Sequence, residues 1–382
     1  MRIGIVAAEP SGDQLGAGLM QALLALQPDI EFEGIGGSQM QAQGLNSWFP
    51  MEKLSVMGLV EVLGRLPELL RIRKTLVQRW LRHPPDIFIG VDAPDFNLKL
   101  EQQLKLASIS TVHYVSPTVW AWRQKRVKKI RNAADLVLSI FPFEQKFLQQ
   151  QGIACTYVGH SLAHQYPLHP DKQHARQPLG LSETAPVLAL LPGSRRGEIQ
   201  RLSRPFLQTA KGCQAQLDGL QIVTPMATDK TRNDFAQACE EYAPGLDIKI
   251  SQGNTAQVLT AADVVLVASG TATFEALLCK RPMVVGYKLN PLTYALIKKL
   301  DMLKIEHVSM ANLLGEKALA PEFIQQACEP EQLLPAVMNF FQNQPLVTQI
   351  EQHYTQIHSS LMMDTDKLAA TAVMQMWTEK HA

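Results

Sequence analysis

Four short stretches of this chain set glycine beside charged or hydroxyl side chains directly after an apolar run, where backbone and side chain can meet a ligand together. GVDAPDF (90–96) closes the run DIFIGV with two carboxylates, Asp92 and Asp95, around a proline. Such carboxylates either take a proton from a reacting group or cap a turn at the end of a strand. LLPGSRRGEIQR places Gly193 and Ser194 at the end of another apolar run, followed by Arg195 and Arg196. A guanidinium there suits phosphate oxygens, since its planar fork donates two hydrogen bonds while nearby backbone N–H groups donate others. In VVLVASGTATFEALL the small residues Ser269, Gly270, Thr271, Ala272 and Thr273 lead into a helix-period run carrying Glu275. They would admit a diphosphate to the positive end of a helix, with Glu275 one turn on to accept hydrogen bonds from a ribose diol. The same residues also read as ordinary helix caps. In AAEPSGDQLGAGL, Ser11, Gly12 and Asp13 precede a helix start containing Gly16 and Gly18. Glycine there allows close approach of helix, strand or ligand, and packing alone would ask for the same residues.

Other chemistries are disfavoured. No G-x-G-x-x-G follows the first apolar run with an acidic residue ending a second, which argues against a nicotinamide dehydrogenase; no G-x-x-x-x-G-K-[ST] loop argues for an NTP-hydrolysing engine. The five cysteines are scattered without a C-x-x-C spacing, so neither a disulfide framework nor a zinc site is expected.

These stretches need elements to hold them. With 382 residues the chain is about right for two domains. Short apolar runs alternate with helix-period segments: IGIVAA (3–8), FEGIG (32–36), DIFIGV (86–91), STVHYV (110–115), LVLSI (136–140) and CTYVG (155–159). The rhythm restarts after the polar stretch 166–186 with VLALLPGS (187–194), LQIVTP (220–225), IKIS (248–251), DVVLVASG (263–270) and PMVVGY (282–287). That is the pattern of parallel sheets covered by crossover helices, and it predicts an α/β protein of two Rossmann-like domains facing a cleft. The boundary is placed near 165–185, dividing the chain into 1–170, 171–345 and a helical tail, 346–382, that either closes the second domain or crosses back to the first. After residue 320 only helices are expected. The proline in GVDAPDF disfavours helix at Ala93, which predicts an extended turn before Asp95 and makes Asp95 a cap for the helix NLKLEQQLKL.

A formal net charge of +1 gives no global sign of nucleic-acid binding, but charge is concentrated locally. Between 53 and 82, Lys53, Arg65, Arg71, Arg73, Lys74, Arg79 and Arg82 outnumber Glu61 and Glu68 among dense aliphatics. Such a segment either dips into lipid through Val60, Leu63, Leu66, Leu69 and Leu70 while its cations meet anionic headgroups, or packs on the core. WAWRQKRVKKIRN (120–132) adds Arg123, Lys125, Arg126, Lys128, Lys129 and Arg131 beside Trp120 and Trp122. No apolar run is long enough to span a bilayer and no signal peptide is read, so the expected location is cytoplasmic, on a membrane surface, with no nucleic-acid partner.

SGDQLGAGL, the ME-x-L-x-VMG-x-VEVLGRL pattern at 51–66, GVDAPDFN, HYVSPTVWAWRQKRVKKI, LLPGSRRGEI and ASGTATFEALL together resemble the bacterial lipid-A-disaccharide synthases over nearly the whole chain. The resemblance implies a GT-B-type glycosyltransferase, inverting and metal-independent, without a cofactor. It implies transfer of 2,3-diacylglucosamine from UDP to the C6 hydroxyl of 2,3-diacylglucosamine 1-phosphate at the cytoplasmic face of the inner membrane. On that family match Asp92 is the base, Ser11, Gly12 and Asp13 line the acceptor side, and Asn312 lies on the nucleotide side. His160 serves either the cleft or the hinge, or is structural. Another UDP-sugar enzyme of this type, such as an undecaprenyl-acceptor transferase or a UDP-N-acetylglucosamine 2-epimerase, is the competing reading, as is a silent sugar-nucleotide-binding module. Acyl-chain length and homo-oligomer formation stay open.

Overall fold

In the computed structural model the apolar runs lie side by side, parallel at every pairing, in two sheets. The structure describes residues 1–54, 59–117, 127–226, 228–290, 307–315 and 317–381, and for 59–64 the backbone. The chain divides into two units, 1–161 with 361–382, and 162–360. The change of unit at Ser161–Leu162 comes ahead of the boundary placed at 165–185, and the return comes at 360–361.

The first unit runs β1 (Arg2–Ala7), α1 (Pro10–Leu26), β2 (Glu31–Ile35), α2 (Ser38–Ala42), β3 (Leu45–Ser47), α3 (Leu59–Arg82), β4 (Ile87–Val91) and α4 (Pro94–Leu106). It continues with β5 (Ser110–Tyr114), α5 (Val127–Ala133), β6 (Leu136–Ser139), α6 (Pro142–Gln150) and β7 (Cys155–Tyr157). Its strand order is β3-β2-β1-β4-β5-β6-β7. Successive strand side chains point to opposite faces, and both faces are covered. Ile3, Ile5, Ile87, Ile89, Val112 and Tyr114 pack towards α1; Val6 and Phe88 pack on the other face with Ile72, Leu76 and Trp80 of α3. Gly4 leaves the room Trp80 needs, since a Cβ there would lie 3.0 Å from the indole. A final helix, Thr365–His381, returns to this unit and seats Ala369, Ala370 and Val373 against Leu19, Met20 and Leu23 of α1.

The second unit begins with α7 (Leu162–Gln165) and α8 (Lys172–Arg176), then β8 (Val187–Leu191), α9 (Arg196–Gln214), β9 (Gln221–Met226), α10 (Asp229–Tyr242), β10 (Ile248–Gln252), α11 (Thr255–Ala261), β11 (Val264–Ala268), α12 (Thr271–Leu278) and β12 (Met283–Tyr287). After the short helix Met310–Gly315 comes β13 (Glu322–Ile324), then the helices Pro330–Gln342 and Gln344–Leu361. Its sheet order is β10-β9-β8-β11-β12-β13.

Four expectations are corrected. Residues after 320 are not purely helical: Glu322–Ile324 pairs with Val285–Tyr287 as an edge strand too short and too exposed to show an apolar run. The polar stretch 166–186 is not the boundary but part of the second unit, where the buried Arg176 guanidinium binds Asp263 at 2.8 Å and the carbonyls of Ala261, Ser182, Glu183 and Ala185. The turn before α4 is not extended: Asp92 and Ala93 have φ of 51° and 45°, both left-handed. The helix starts at Pro94, so Asp95 lies inside its first turn and Ala93 occupies the cap position without a side-chain bond.

The C-terminal helix is a component of the first unit's core. Val373→Asp would bury an unpaired charge against α1 and is expected to lower unit stability by about 3–5 kcal/mol, whereas Thr371→Asp on the exposed face should cost under about 1 kcal/mol. Amide exchange in α1 distinguishes the two; equal protection in both variants would contradict this packing.

Candidate active site

Each sheet reverses its strand order once on either side of its first strand, between β1 and β4 in one unit and between β8 and β11 in the other. Crevices outside the carboxyl ends of strands form at such reversals. In the first unit the β1 and β4 exits are packed together: a Cβ on Gly12 would sit 3.4 Å from Ala7 and 3.6 Å from Val91. Ser11 is exposed beside it and Gly12 is buried.

Asp92 follows Val91 directly. Its amide donates to the Tyr114 carbonyl at 2.8 Å, and its carbonyl accepts from Asn97 Nδ2 at 2.9 Å. The same buried amide reaches the carbonyls of Val6 and Val91, each at 3.3 Å, so one side chain ties β1, β4 and the turn. Left-handed backbone at a non-glycine residue costs roughly 1–3 kcal/mol and persists where surroundings over-determine it. Here two hydrogen bonds on Asp92 and the helix start at Pro94 do so.

Asp13, expected on the acceptor side, is buried and turned inward. Its carboxylate accepts from the amides of Gly37 (2.7 Å), Gln39 (3.0 Å) and Met40 (3.1 Å), opening α2. Gly37 has to be glycine, since a Cβ would lie 2.5 Å from Asp13 Oδ2. Next to this contact, at the exits of β2 and β3, a cavity of about 640 Å³ is bounded by Pro10, Gly37, Gln39, Trp48 and Phe49.

In the second unit the β8 and β11 exits carry the expected phosphate residues. Gly193 takes a φ of 116° that favours glycine. The amides of Ser194 and Arg195 both donate to Glu198 Oε2, at 3.2 and 3.3 Å, so an internal carboxylate meets these N–H groups. The Arg195 side chain is 84% exposed and only loosely paired with Glu198, at 3.9 Å, whereas Arg196 is held by Asp234 at 3.0 Å. Only Arg195 of the two therefore has a guanidinium ready for a ligand.

At the β11 exit Gly270, with φ 144°, precedes α12. Gly270 and Thr271 are exposed and Ala272 is half-buried, and the first amides of a helix have no intrahelical partner. Ser269 Oγ donates to the Val308 carbonyl at 2.9 Å, and buried Thr273 accepts from the Met310 amide at 3.1 Å. Asn312 is buried too: its amide group binds Ala320 N, Ala320 O and Glu322 Oε1, each at 2.8 Å. Ser269 and Thr273 tie the segment 307–312 to the helix start, and Asn312 ties it to Ala320 and Glu322. Glu275 accepts from Tyr166 at 2.8 Å; burial raises its carboxyl above the ordinary range and the Tyr166 bond opposes that.

On α3, Ile72, Leu76 and Trp80 belong to the core and Leu69 packs against it, so Leu69 leaves the group expected to face a membrane; Leu66 and Leu70 are 41% and 45% exposed. The side chains of Val60 and Leu63, and residues Trp120, Trp122, Arg123, Lys125 and Arg126, lie outside the described residues. Lys128, Lys129 and Arg131 are exposed on α5, opposite its buried Val127 and Ile130. His160, half-exposed, packs 5.1 Å from the Phe141 ring, and burial pushes its imidazole down to about 4. Among the described residues no helix is long and apolar enough to cross a membrane, and no three His, Cys, Asp or Glu side chains cluster as a metal site.

A family model described as lipid-A-disaccharide synthetase matches residues 3–375. The chain belongs to the lipid-A-disaccharide synthetase family. Lipid-A-disaccharide synthases from Vibrio vulnificus and Pseudomonas aeruginosa are 48% and 49% identical to it, covering 98% of this chain and 98% of each relative. Among solved structures, a glycosyltransferase from Rickettsia africae aligns with TM-score 0.61 and 12% identity over 99% of this chain and 97% of its own. The Anabaena protein Alr3699/HepE, in complex with UDP-glucose, aligns with TM-score 0.58 and 13% identity over 98% and 99%. At such identities the likeness is one of fold, and it is the GT-B fold of this synthetase family.

Sequence reading missed Tyr166, Asn97 and Glu198. Asn97 stood in the quoted GVDAPDFN, and Glu198 in LLPGSRRGEI at the third helical position, where a carboxylate reaching back to cap amides is a recognisable signal. Tyr166 gave none, because its partner is 109 residues away.

Proposed function

We propose that this chain joins 2,3-diacylglucosamine from its UDP derivative to the C6 hydroxyl of 2,3-diacylglucosamine 1-phosphate, giving a β-1,6 disaccharide 1-phosphate and UDP with inversion at the anomeric carbon. Asp92 takes the hydroxyl proton as the oxygen attacks, and the anomeric bond to UDP breaks on the opposite side. The observation that carries this reading is the position of Asp92, at the strand-order reversal and locked in a left-handed turn by Tyr114 and Asn97.

Charge developing on the departing diphosphate is met by the exposed guanidinium of Arg195, the turn at Gly193 and Ser194, and the first amides of α12 at Gly270, Thr271 and Ala272. Glu275, fixed by Tyr166, receives the ribose hydroxyls. Ser269 and Thr273 support the nucleotide side by holding 307–312 against the helix start, and Asn312 by holding the same segment to Ala320 and Glu322. The acceptor sugar approaches over Ser11 and Gly12, beside Val91, with Asp13 shaping the neighbouring loop. The enzyme works from the cytoplasm on an anionic membrane surface, reached through Leu66 and Leu70 with the exposed Arg71 and Lys74 beside them.

An assay with UDP-diacylglucosamine and diacylglucosamine 1-phosphate, following UDP release and disaccharide formation, tests the whole reading. Asp92→Asn is expected to fold and bind UDP while turnover drops by roughly two orders of magnitude or more; near-normal turnover would remove Asp92 as base. For Arg195→Ala, calorimetry should give weaker UDP binding, and unchanged affinity would refute its contact with the diphosphate. Leu66→Asp with Leu70→Asp should release the folded protein from phosphatidylglycerol vesicles; retention on the vesicles would exclude this face.

A further inference from the structure

Arg73 is the half-buried cation of α3, where Arg65, Arg71, Lys74, Arg79 and Arg82 are all exposed. Its guanidinium lies 5.9 Å from the centroid of the Phe96 ring, and among the described residues it has no carboxylate partner and no hydrogen bond. Partial burial lowers its proton affinity, with no neighbouring charge to oppose that. A ring face attracts a cation but does not take up the N–H groups in the guanidinium plane. A planar fork that has already lost part of its water is left open for an oxyanion.

The packing places that fork. Leu69, Arg73 and Val77 form one i, i+4 row on α3, and Leu69 and Val77 pack on the same cluster as Ala93 and Phe96. Phe96 stands in the first turn of α4, four residues after Asp92, with its amide on the Ala93 carbonyl at 3.0 Å. Arg73 therefore stands over the helix start that follows the β4 exit. Along α3 it also lies on the same side as exposed Leu66, because seven residues nearly close two helical turns.

The reaction has an anion for this place. Arg195 and the first amides of α12 meet the donor's diphosphate, while on the acceptor side Ser11 and Gly12 are uncharged. The acceptor's C6 hydroxyl and its anomeric phosphate flank the ring oxygen of one sugar, so with Asp92 at the hydroxyl the phosphate lies within a sugar's width of it. We propose that Arg73 binds the 1-phosphate of the acceptor, donating two N–H groups to its oxygens while Phe96 holds the guanidinium plane. This deepens the functional reading above and rests on it. Arg73 becomes a determinant of acceptor choice, and a phosphate held on the Leu66 side of α3 keeps the acyl chains beside the face assigned to lipid.

The test compares two acceptors in neutral detergent micelles: diacylglucosamine 1-phosphate and the same diacylglucosamine as its methyl glycoside, with UDP release and disaccharide formation followed. Wild-type enzyme should use the phosphorylated acceptor with kcat/KM roughly ten- to hundredfold higher, the scale of hydrogen bonds to a charged group. Equal use of both overturns the proposal whether or not any variant folds, and leaves the functional reading standing. Arg73→Gln should erase the preference by raising KM for the phosphorylated acceptor, with KM for the UDP derivative and kcat/KM on the methyl glycoside unchanged. Arg73→Lys, which keeps the charge without the fork, should fall between. An equal fractional loss on both acceptors would make Arg73 a structural residue and overturn the proposal. Undiminished preference in Arg73→Gln, together with its release from phosphatidylglycerol vesicles, would assign the guanidinium to bilayer headgroups and overturn it as well. Disaccharide from neither acceptor fells the functional reading itself, and this inference with it.

Discussion

A parallel sheet covered on both faces has one region left where polar groups can meet a ligand without being buried unpaired: beyond the ends of its strands. Both units of this chain obey that constraint. The five-residue strands Ile87–Val91, Val187–Leu191 and Val264–Ala268 are buried throughout. Ser11, Asp92, Ser194, Arg195 and the run Ser269–Thr273 then follow within five positions of a carboxyl end.

The two units solve the exit differently. At Gly193 and Gly270 the chain leaves its strand through a positive φ that glycine adopts without strain; after Gly193 the amides of Ser194 and Arg195 are taken by Glu198 and the Arg195 guanidinium is exposed, while after Gly270 the first amides of α12 are free of intrahelical partners. At Asp92 the group offered is a side chain, so glycine cannot serve, and the strained conformation is held by tertiary bonds from Tyr114 and Asn97. Asn97 and Glu101 lie one turn apart on the inner face of α4, so a single helix holds the turn through Asn97 and meets His113 of β5 through Glu101, at 2.6 Å.

Most of the architecture was legible because its signals are local. Runs of four to eight residues marked eleven of the strands. The two missed strands, Leu45–Ser47 and Glu322–Ile324, are edge strands of three residues with partly exposed side chains, which leave no run to read. The candidate site was legible as a set of positions and not as a set of contacts. Asp13 looked available until its carboxylate was found on amides at 37, 39 and 40, and Asn312 looked like a nucleotide contact until its amide was found holding Ala320 and Glu322. The left-handed turn at Asp92 and Ala93 was unreadable for the same reason: proline biases its predecessor, but partners on other elements chose the conformation. The segment 54–82 divided in two because hydrophobicity alone does not say which leucines meet the core; Leu69 does, and Leu66 and Leu70 do not.

Connectivity gives the C-terminal helix one more consequence. The second unit is an uninterrupted stretch, 162–360, while the first is completed only by residues 361–382. At about 5–20 residues per second of synthesis, the ribosome needs roughly 10–40 s to make the intervening chain. Through that interval every strand of the first sheet has been synthesised, yet the flank of α1 carrying Leu19, Met20 and Leu23 has no Ala369, Ala370 or Val373 to cover it. The half of the molecule made first is therefore finished last, and its exposure to aggregation or chaperone capture is timed by translation of the other half.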